Sequence, residues 1–356
     1  MPQESEAAAP RPALPMRLTR LRVKNFRSIA DIDIPLSPLT VLVGPNGSGK
    51  SNVVDALRFV RDVFARGLDQ AVMDREGMGV IQRWGTDGEG ITIGVTILLN
   101  EQVTQLPEKI EGGGFEMVDV TFPESLIDYE FSLFFSNENG IEVKSEKAVI
   151  TIDGSDYSTI TADRNEGEIN WRIGEFSKDR LERKIKFSNK SLNLWLPSGL
   201  FDDIPVFLHV SSEEKFGLEY NEWSLFTSAI SQIESKINEL LFYTLNPTDL
   251  RQPQQILKET PLDEKGRNLA AVLRRLIRAN KSEWSGLRFT LNAAVVGFQN
   301  IAIEPVGGYL ATKLIYQTDT TQPRTSYIGQ ESDGTIRMLG LLAALYQDPA
   351  QPFLSI

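Results

Sequence analysis

Residues 44–51 read Gly-Pro-Asn-Gly-Ser-Gly-Lys-Ser. Glycines, one lysine and one terminal hydroxyl at this spacing are the parts of a phosphate-binding loop. Gly44, Gly47 and Gly49 open backbone conformations that a side chain blocks, so successive amide N–H groups can converge on a phosphate. A helix opening at Lys50 adds the positive end of its dipole. Lys50 is placed to bridge β- and γ-phosphates, and the Ser51 hydroxyl to ligate Mg²⁺. The flanks agree. Leu39-Thr40-Val41-Leu42-Val43 predicts a strand running into the loop. Val53, Val54, Leu57, Val60, Val63 and Phe64 predict a helix leaving it and reaching about Arg66. Strand, turn and helix form the context that separates such a loop from a chance glycine-rich turn. The octapeptide therefore predicts a nucleoside-triphosphate site.

Composition removes several other chemistries. Without cysteine there is no disulfide, no thiolate zinc site and no cysteine nucleophile. The single histidine, His209, lies in the apolar run Pro205–Val210 and reads as a structural residue at a strand end. Residues Met1–Pro15 are rich in Ala, Pro and Glu and lack a hydrophobic signal core, so they predict a disordered tail. No apolar stretch approaches the ~20 residues a helix needs to cross a bilayer. A soluble, cytoplasmic protein with no membrane partner is expected. Lys and Arg number 37 against 48 Asp and Glu, a formal charge of −11. That balance lends a nucleic-acid partner no support, because phosphate-backbone binding rests on clustered cations. The clusters Arg180, Arg183, Lys184, Lys186 and Arg274, Arg275, Arg278, Lys281 read as solvated faces.

Four segments would have to position the loop. In 16–89, the N-terminal lobe, Met16 to Phe26 alternates as a half-buried strand and 31–36 forms a second strand. In 90–205, period-two alternation at 91–97, 127–133, 143–152 and 169–173 predicts an antiparallel β insertion. No heptads support a coiled-coil arm. Segment 206–298 predicts a helical lobe, with one helix at Trp223 to Leu241 and another marked by Leu269, Val272, Leu273, Leu276 and Ile277. In 299–356, strands are expected at 301–304 and 309–317, then a buried helix from Ile336 to Tyr346 and a buried strand at Phe353 to Ile356.

Ahead of that last helix stands Gln330-Glu331-Ser332-Asp333-Gly334-Thr335. Alone it is an ordinary helix cap. Downstream of a phosphate loop it resembles the signature motif of ABC-type ATPases, with Asp333 in the form carried by the RecF-like and OLD-like branch. Val23-Lys24-Asn25-Phe26-Arg27-Ser28-Ile29 and Leu245-Asn246-Pro247-Thr248-Asp249-Leu250-Arg251 resemble the same branch and its SMC relatives. The resemblance covers most of 16–356. It implies an α/β P-loop NTPase fold of the ABC-ATPase head type, with an antiparallel β insertion and a helical lobe, and ATP and Mg²⁺ as cofactors. It would place Arg27 and Ser28 near the nucleotide phosphates. Gly44, Pro45, Asn46, Gly47, Ser48, Gly49, Lys50 and Ser51 would form the cradle, with Asn52 opening the helix behind it. Ser332, Asp333 and Gly334 would meet the γ-phosphate held by a second copy. Asn246 or Asp249 would take the Gln-loop position, although neither is a glutamine.

In that family the strand after the signature helix ends in an acidic pair that holds Mg²⁺ and polarises the attacking water. Here Phe353 to Ile356 arrives on schedule and the sequence ends, so the pair is expected after Ile356, in a longer protein, or from another polypeptide. The resemblance implies an ATP-hydrolysing head that dimerises around ATP and switches a nucleic-acid or effector interaction in DNA repair or anti-phage defence, often with a nuclease. A non-hydrolysing ATP-dependent scaffold that recruits an effector is the alternative. A GTPase is disfavoured because no Asn-Lys-x-Asp motif occurs.

Overall fold

The computed structural model describes residues 16–173 and 237–355, apart from 87–88, 101, 110–114, 123, 137–139, 153–158, 166–167, 239, 256–260, 280–281, 318–322 and 348–352. The chain divides into two compact units, one spanning Ala13–Glu239 and the other containing Leu240–Ile356.

The first unit is built on one antiparallel sheet. Strands β1 (Met16–Phe26), β2 (Ile29–Pro35), β3 (Ile91–Leu99), β6 (Ser125–Ser136), β7 (Gly140–Ile152), β8 (Thr159–Asn165) and β9 (Glu168–Ile173) run in the order β2-β1-β3-β6-β7-β8-β9. A separate hairpin joins β4 (Gln102–Lys109) to β5 (Phe115–Phe122). Alternation in β1 fixes its faces. Met16, Leu18, Leu21 and Val23 are buried, while Arg22 reaches Asp128 at 2.7 Å and Glu130 at 3.1 Å on β6. Helix α1 (Lys50–Arg66) buries Ala56, Leu57, Phe59, Val60, Val63 and Phe64. Phe59 stacks at 5.8 Å from Phe26 and 6.3 Å from Phe131, and Phe64 meets Tyr129 edge-on at 5.4 Å. Two short helices follow, α2 (Leu68–Met73) and α3 (Met78–Ile81).

One expectation is corrected here. The run 39–43 is not a strand, and Leu39, Val41 and Val43 are 80%, 69% and 89% exposed. A continuous apolar run is the pattern of a strand covered on both faces. Such a strand needs backbone partners to exist, and no described strand pairs with this one.

The second unit packs helices against a small sheet. Strands β11 (Gln254–Gln255), β12 (Phe298–Val306), β13 (Tyr309–Tyr316) and β14 (Arg324–Tyr327) pair antiparallel. Strands β10 (Leu241–Phe242) and β15 (Leu354–Ser355) pair parallel. Helices α4 (Pro247–Leu250), α5 (Leu269–Ala279), α6 (Ser282–Ala294) and α7 (Asp333–Tyr346) enclose a core that includes Leu273, Leu287, Leu291, Phe298, Leu314, Ile336 and Leu339. Buried Gln347 accepts from the Leu262 amide at 2.9 Å and donates to the Tyr243 hydroxyl at 2.9 Å, so the polar end of α7 is satisfied inside this core. Helix α6 was not anticipated. The helix expected at Trp223 to Leu241 falls mostly outside the described residues, as do His209 and the 180–186 basic cluster.

Candidate phosphate-binding site

In the first unit the predicted loop residues come together at the start of α1. Gly49 occupies the cap position at φ 93°, and no side chain caps the helix, which leaves first-turn amides open to an anion. Gly47 lies at φ 80°, the left-handed region that suits glycine. A Cβ on Gly49 would also stand 3.0 Å from the Ser28 hydroxyl oxygen, so both backbone strain and crowding select glycine there. The Lys50 ammonium folds over the loop and donates to the Gly44 carbonyl at 2.8 Å and the Pro45 carbonyl at 2.7 Å. Its charge therefore already stands inside the ring of backbone groups from Gly44 to Ser48.

Asn52 ties a second turn to this loop by donating to the Ser28 hydroxyl at 2.7 Å. That turn joins β1 to β2, and its Asn25 and Arg27 hold left-handed φ values of 56° and 51° without being glycines. Strain of this kind persists only where surroundings over-determine it. They do: the Arg27 amide donates to Ile81 at 2.6 Å, and the Arg83 amide to Asn25 at 2.9 Å. The Asn25 side chain donates to Glu89 at 3.1 Å and to the Gly90 carbonyl at 3.2 Å.

Arg27 meets Asp55 at 2.8 Å as a charge contact whose alignment falls short of a hydrogen bond. Asp55 is also held by Arg75, which pairs with Asp62 at 2.9 Å and lies 5.1 Å over the Phe59 ring. Asp62 further accepts from Arg61 and Arg66. The Asp55 and Arg75 contacts behind Arg27 are not legible in the sequence. The spacing of Asp55 one turn after Ser51 was the only local signal, and Arg75 arrives through the fold of α2. Because Arg75 and Asp62 are both buried, removing one partner strands the other. Arg75→Ala is expected to lower unfolding free energy by about 3 kcal/mol, read from denaturant melts. A change below the noise of such melts would show that Arg61 and Arg66 suffice for Asp62.

In the second unit Ser332 caps α7, its hydroxyl oxygen accepting from the Thr335 amide at 3.1 Å. Asp333 pairs with Arg251 at 2.7 Å, and Arg251 also donates to the Glu331 carbonyl at 2.8 Å. Tyr316 donates to the Glu331 carboxylate at 2.7 Å, and burial together with that bond raises its hydroxyl above the usual tyrosine range. Gly334 has open space, with the nearest atom to an added Cβ being the Ser332 hydroxyl oxygen at 3.9 Å. Asn246 precedes α4 without a side-chain cap, and Asp249 sits in its first turn. Arg251 is the residue of that segment that reaches the 331–333 turn. The 44–52 and 332–334 groups belong to different units.

Among the described residues no helix is long and apolar enough to cross a membrane. The segment 39–356 matches the family model described as "AAA domain, putative AbiEii toxin, Type IV TA system". The chain is 58% identical over 43 residues to an OLD nuclease of Thermus scotoductus, covering 12% of this chain and 8% of that protein. It is 34% identical over 95 residues to the DNA replication and repair protein RecF of Chlorobium phaeobacteroides, covering 25% of each. It is 57% identical over 47 residues to the chromosome partition protein Smc of Halothermothrix orenii, covering 13% of this chain and 4% of that protein. The chain thus matches a quarter or less of the length of each of these relatives. With the family model spanning nearly the whole chain, this protein belongs to that AAA-domain family, in the company of SMC-, RecF- and OLD-like proteins.

Proposed function

We propose that the chain is an ATP-binding head that closes in pairs around ATP and hydrolyses it to switch an effector. The observation that carries this reading is the loop itself. Open glycine conformations, an uncapped helix start and the Lys50 ammonium inside the ring converge on one point. Mg²⁺ would be held by the exposed Ser51 together with phosphate oxygens, which suits an ion that keeps several waters and few protein ligands.

In the closed pair, Ser332, Asp333 and Gly334 of one copy would face the γ-phosphate on the other. A bare Asp333 carboxylate would repel that phosphate. Its pairing with Arg251 at 2.7 Å removes the objection and supports the arrangement. The relatives named above include a nuclease, a repair protein and a chromosome-partition protein, so the process served is DNA repair or anti-phage defence, with a nuclease or other effector as partner. Asn246 and Asp249 remain candidates for the Mg²⁺ and water side of the site. Light scattering of the wild-type chain tests the proposal. ATP should double the mass and ADP should leave it unchanged, because only the γ-phosphate contributes differential affinity for the closed state. The same mass in both nucleotides would count against it.

A further inference from the structure

Leu250 ends helix α4 and Arg251 follows as its cap. Leu250 is buried, and a Cβ on Gly340 of α7 would stand 3.1 Å from its methyl carbons. A Cβ on Gly266 would stand 2.4 Å from the same side chain, and Gly266 itself holds φ 74°. The Leu250 amide donates to Asn246 at 3.0 Å and the Arg251 amide to Pro247 at 3.0 Å. Two glycines thus let α4 sit directly on its neighbours, one residue before the arginine that reaches the start of α7.

A guanidinium carries five N–H donors. Both Nη2 protons of Arg251 are used, one on the Glu331 carbonyl at 2.8 Å and one on the Asp333 carboxylate at 2.7 Å. Nε is buried with no hydrogen-bond partner, and Nη1 bonds to nothing among the described residues. Those donors remain unclaimed on a side chain that is 28% exposed. A buried donor without a partner costs free energy, so cancelling the Asp333 charge does not account for the whole group. Glu331 and Asp333 put two carboxylates at this one turn, and Tyr316 donates to the first at 2.7 Å. Without Arg251 the turn is acidic and repels a phosphate. With it, the turn presents a forked donor that phosphate oxygens match.

We propose that Arg251 is the cation through which the 331–334 turn takes the γ-phosphate bound on a second copy, with Asp333 holding its guanidinium in place until that phosphate arrives. This rests on the paired-head reading and names the side chain that supplies the attraction. ADP offers no γ-phosphate, so Arg251 stays on Asp333. A nucleic-acid backbone would offer the same phosphate chemistry. At a net charge of −11, however, the chain supplies little of the electrostatic funnel that such binding uses.

The test is sedimentation of wild type, Arg251→Gln, Arg251→Lys, Asp333→Asn and the Arg251→Gln/Asp333→Asn double variant, each with Mg-ATP and with Mg-ADP. Arg251→Gln keeps a donor for the Glu331 carbonyl and drops the charge. It should weaken the ATP-dependent dimer by roughly thirtyfold or more, the lower end for truncating a close charge pair. Arg251→Lys keeps the cation without the fork and should fall between wild type and the glutamine variant. The Asp333→Asn background separates the two roles. An arginine that only cancelled Asp333 would be dispensable there, whereas a phosphate ligand is still needed, so the glutamine substitution should again cost roughly thirtyfold. A loss that disappears on that background overturns the proposal, as does a lysine variant no better than the glutamine one. Weaker ATP binding by dilute, monomeric Arg251→Gln in calorimetry would place Arg251 in its own copy's site and also overturn it. Weakened oligothymidylate binding with the ATP dimer intact overturns it in favour of a nucleic-acid phosphate. A wild type that stays monomeric in ATP would instead remove the paired-head reading, and this inference with it.

Discussion

Lys50→Ala should take ATP binding out of calorimetric range. The ammonium lies 2.8 Å and 2.7 Å from the Gly44 and Pro45 carbonyls, so it is already ordered where β- and γ-phosphates would sit. A triphosphate arriving there exchanges those weak carbonyl bonds for charge-assisted ones without having to organise the side chain. Truncating one partner of a close hydrogen-bonded charge pair costs about 2–5 kcal/mol. At 1.4 kcal/mol per decade that is roughly thirtyfold to several thousandfold. The loop geometry should survive, because Gly47 and Gly49 keep their conformations and α1 is anchored by Phe59, Val60 and Phe64. Circular dichroism should therefore show a folded variant. ATP affinity equal to wild type would remove the phosphate-loop assignment.

Ser332→Arg should abolish the ATP-dependent dimer while leaving ATP affinity for the Lys50 loop nearly intact. Ser332 sits at the exposed start of α7, where a long cationic side chain would occupy the contact with the facing nucleotide. It would also place a third charge beside the Arg251–Asp333 pair. The substitution removes a helix cap worth about 1 kcal/mol, so Ser332→Asn, which keeps a capping oxygen without the bulk, is the control. With ATP, wild type should sediment as a dimer, the asparagine variant should retain much of that behaviour, and the arginine variant should remain monomeric. An oligomer indifferent both to nucleotide and to Ser332→Arg would exclude the paired-head arrangement.

What the sequence could disclose was governed by how local each feature is. The 44–51 turn is contiguous, and its glycines, lysine and following amphipathic helix lie within about twenty residues, so motif and periodicity suffice to read its geometry. Strands β1, β3, β6 and β7 were legible for the same reason, since one buried face imposes alternation. Helix α6 was not. It buries only Trp284, Leu287 and Leu291, and its Gly286 reads as a breaker. That glycine exists for tertiary reasons, because a Cβ there would stand 2.5 Å from the Tyr346 ring on α7. The 39–43 run shows the opposite failure. Its apolar pattern is real, yet strand form depends on pairing that a sequence does not contain.

By itself the sequence determined the glycine-rich turn at 44–51, the helix behind it, the helix cap at Ser332 and the antiparallel character of the 90–173 region, all through short-range pattern. Only the tertiary structure decided that Arg27 rests on Asp55, that Arg75 links Asp55 to Asp62 and that Arg251 neutralises Asp333. Arg251 and Asp333 are 82 residues apart, and Arg75 lies 20 residues from Asp55. Charge pairing acts through space at a few ångströms, and chain order carries no record of which distant side chains the packing of a core will bring within that range.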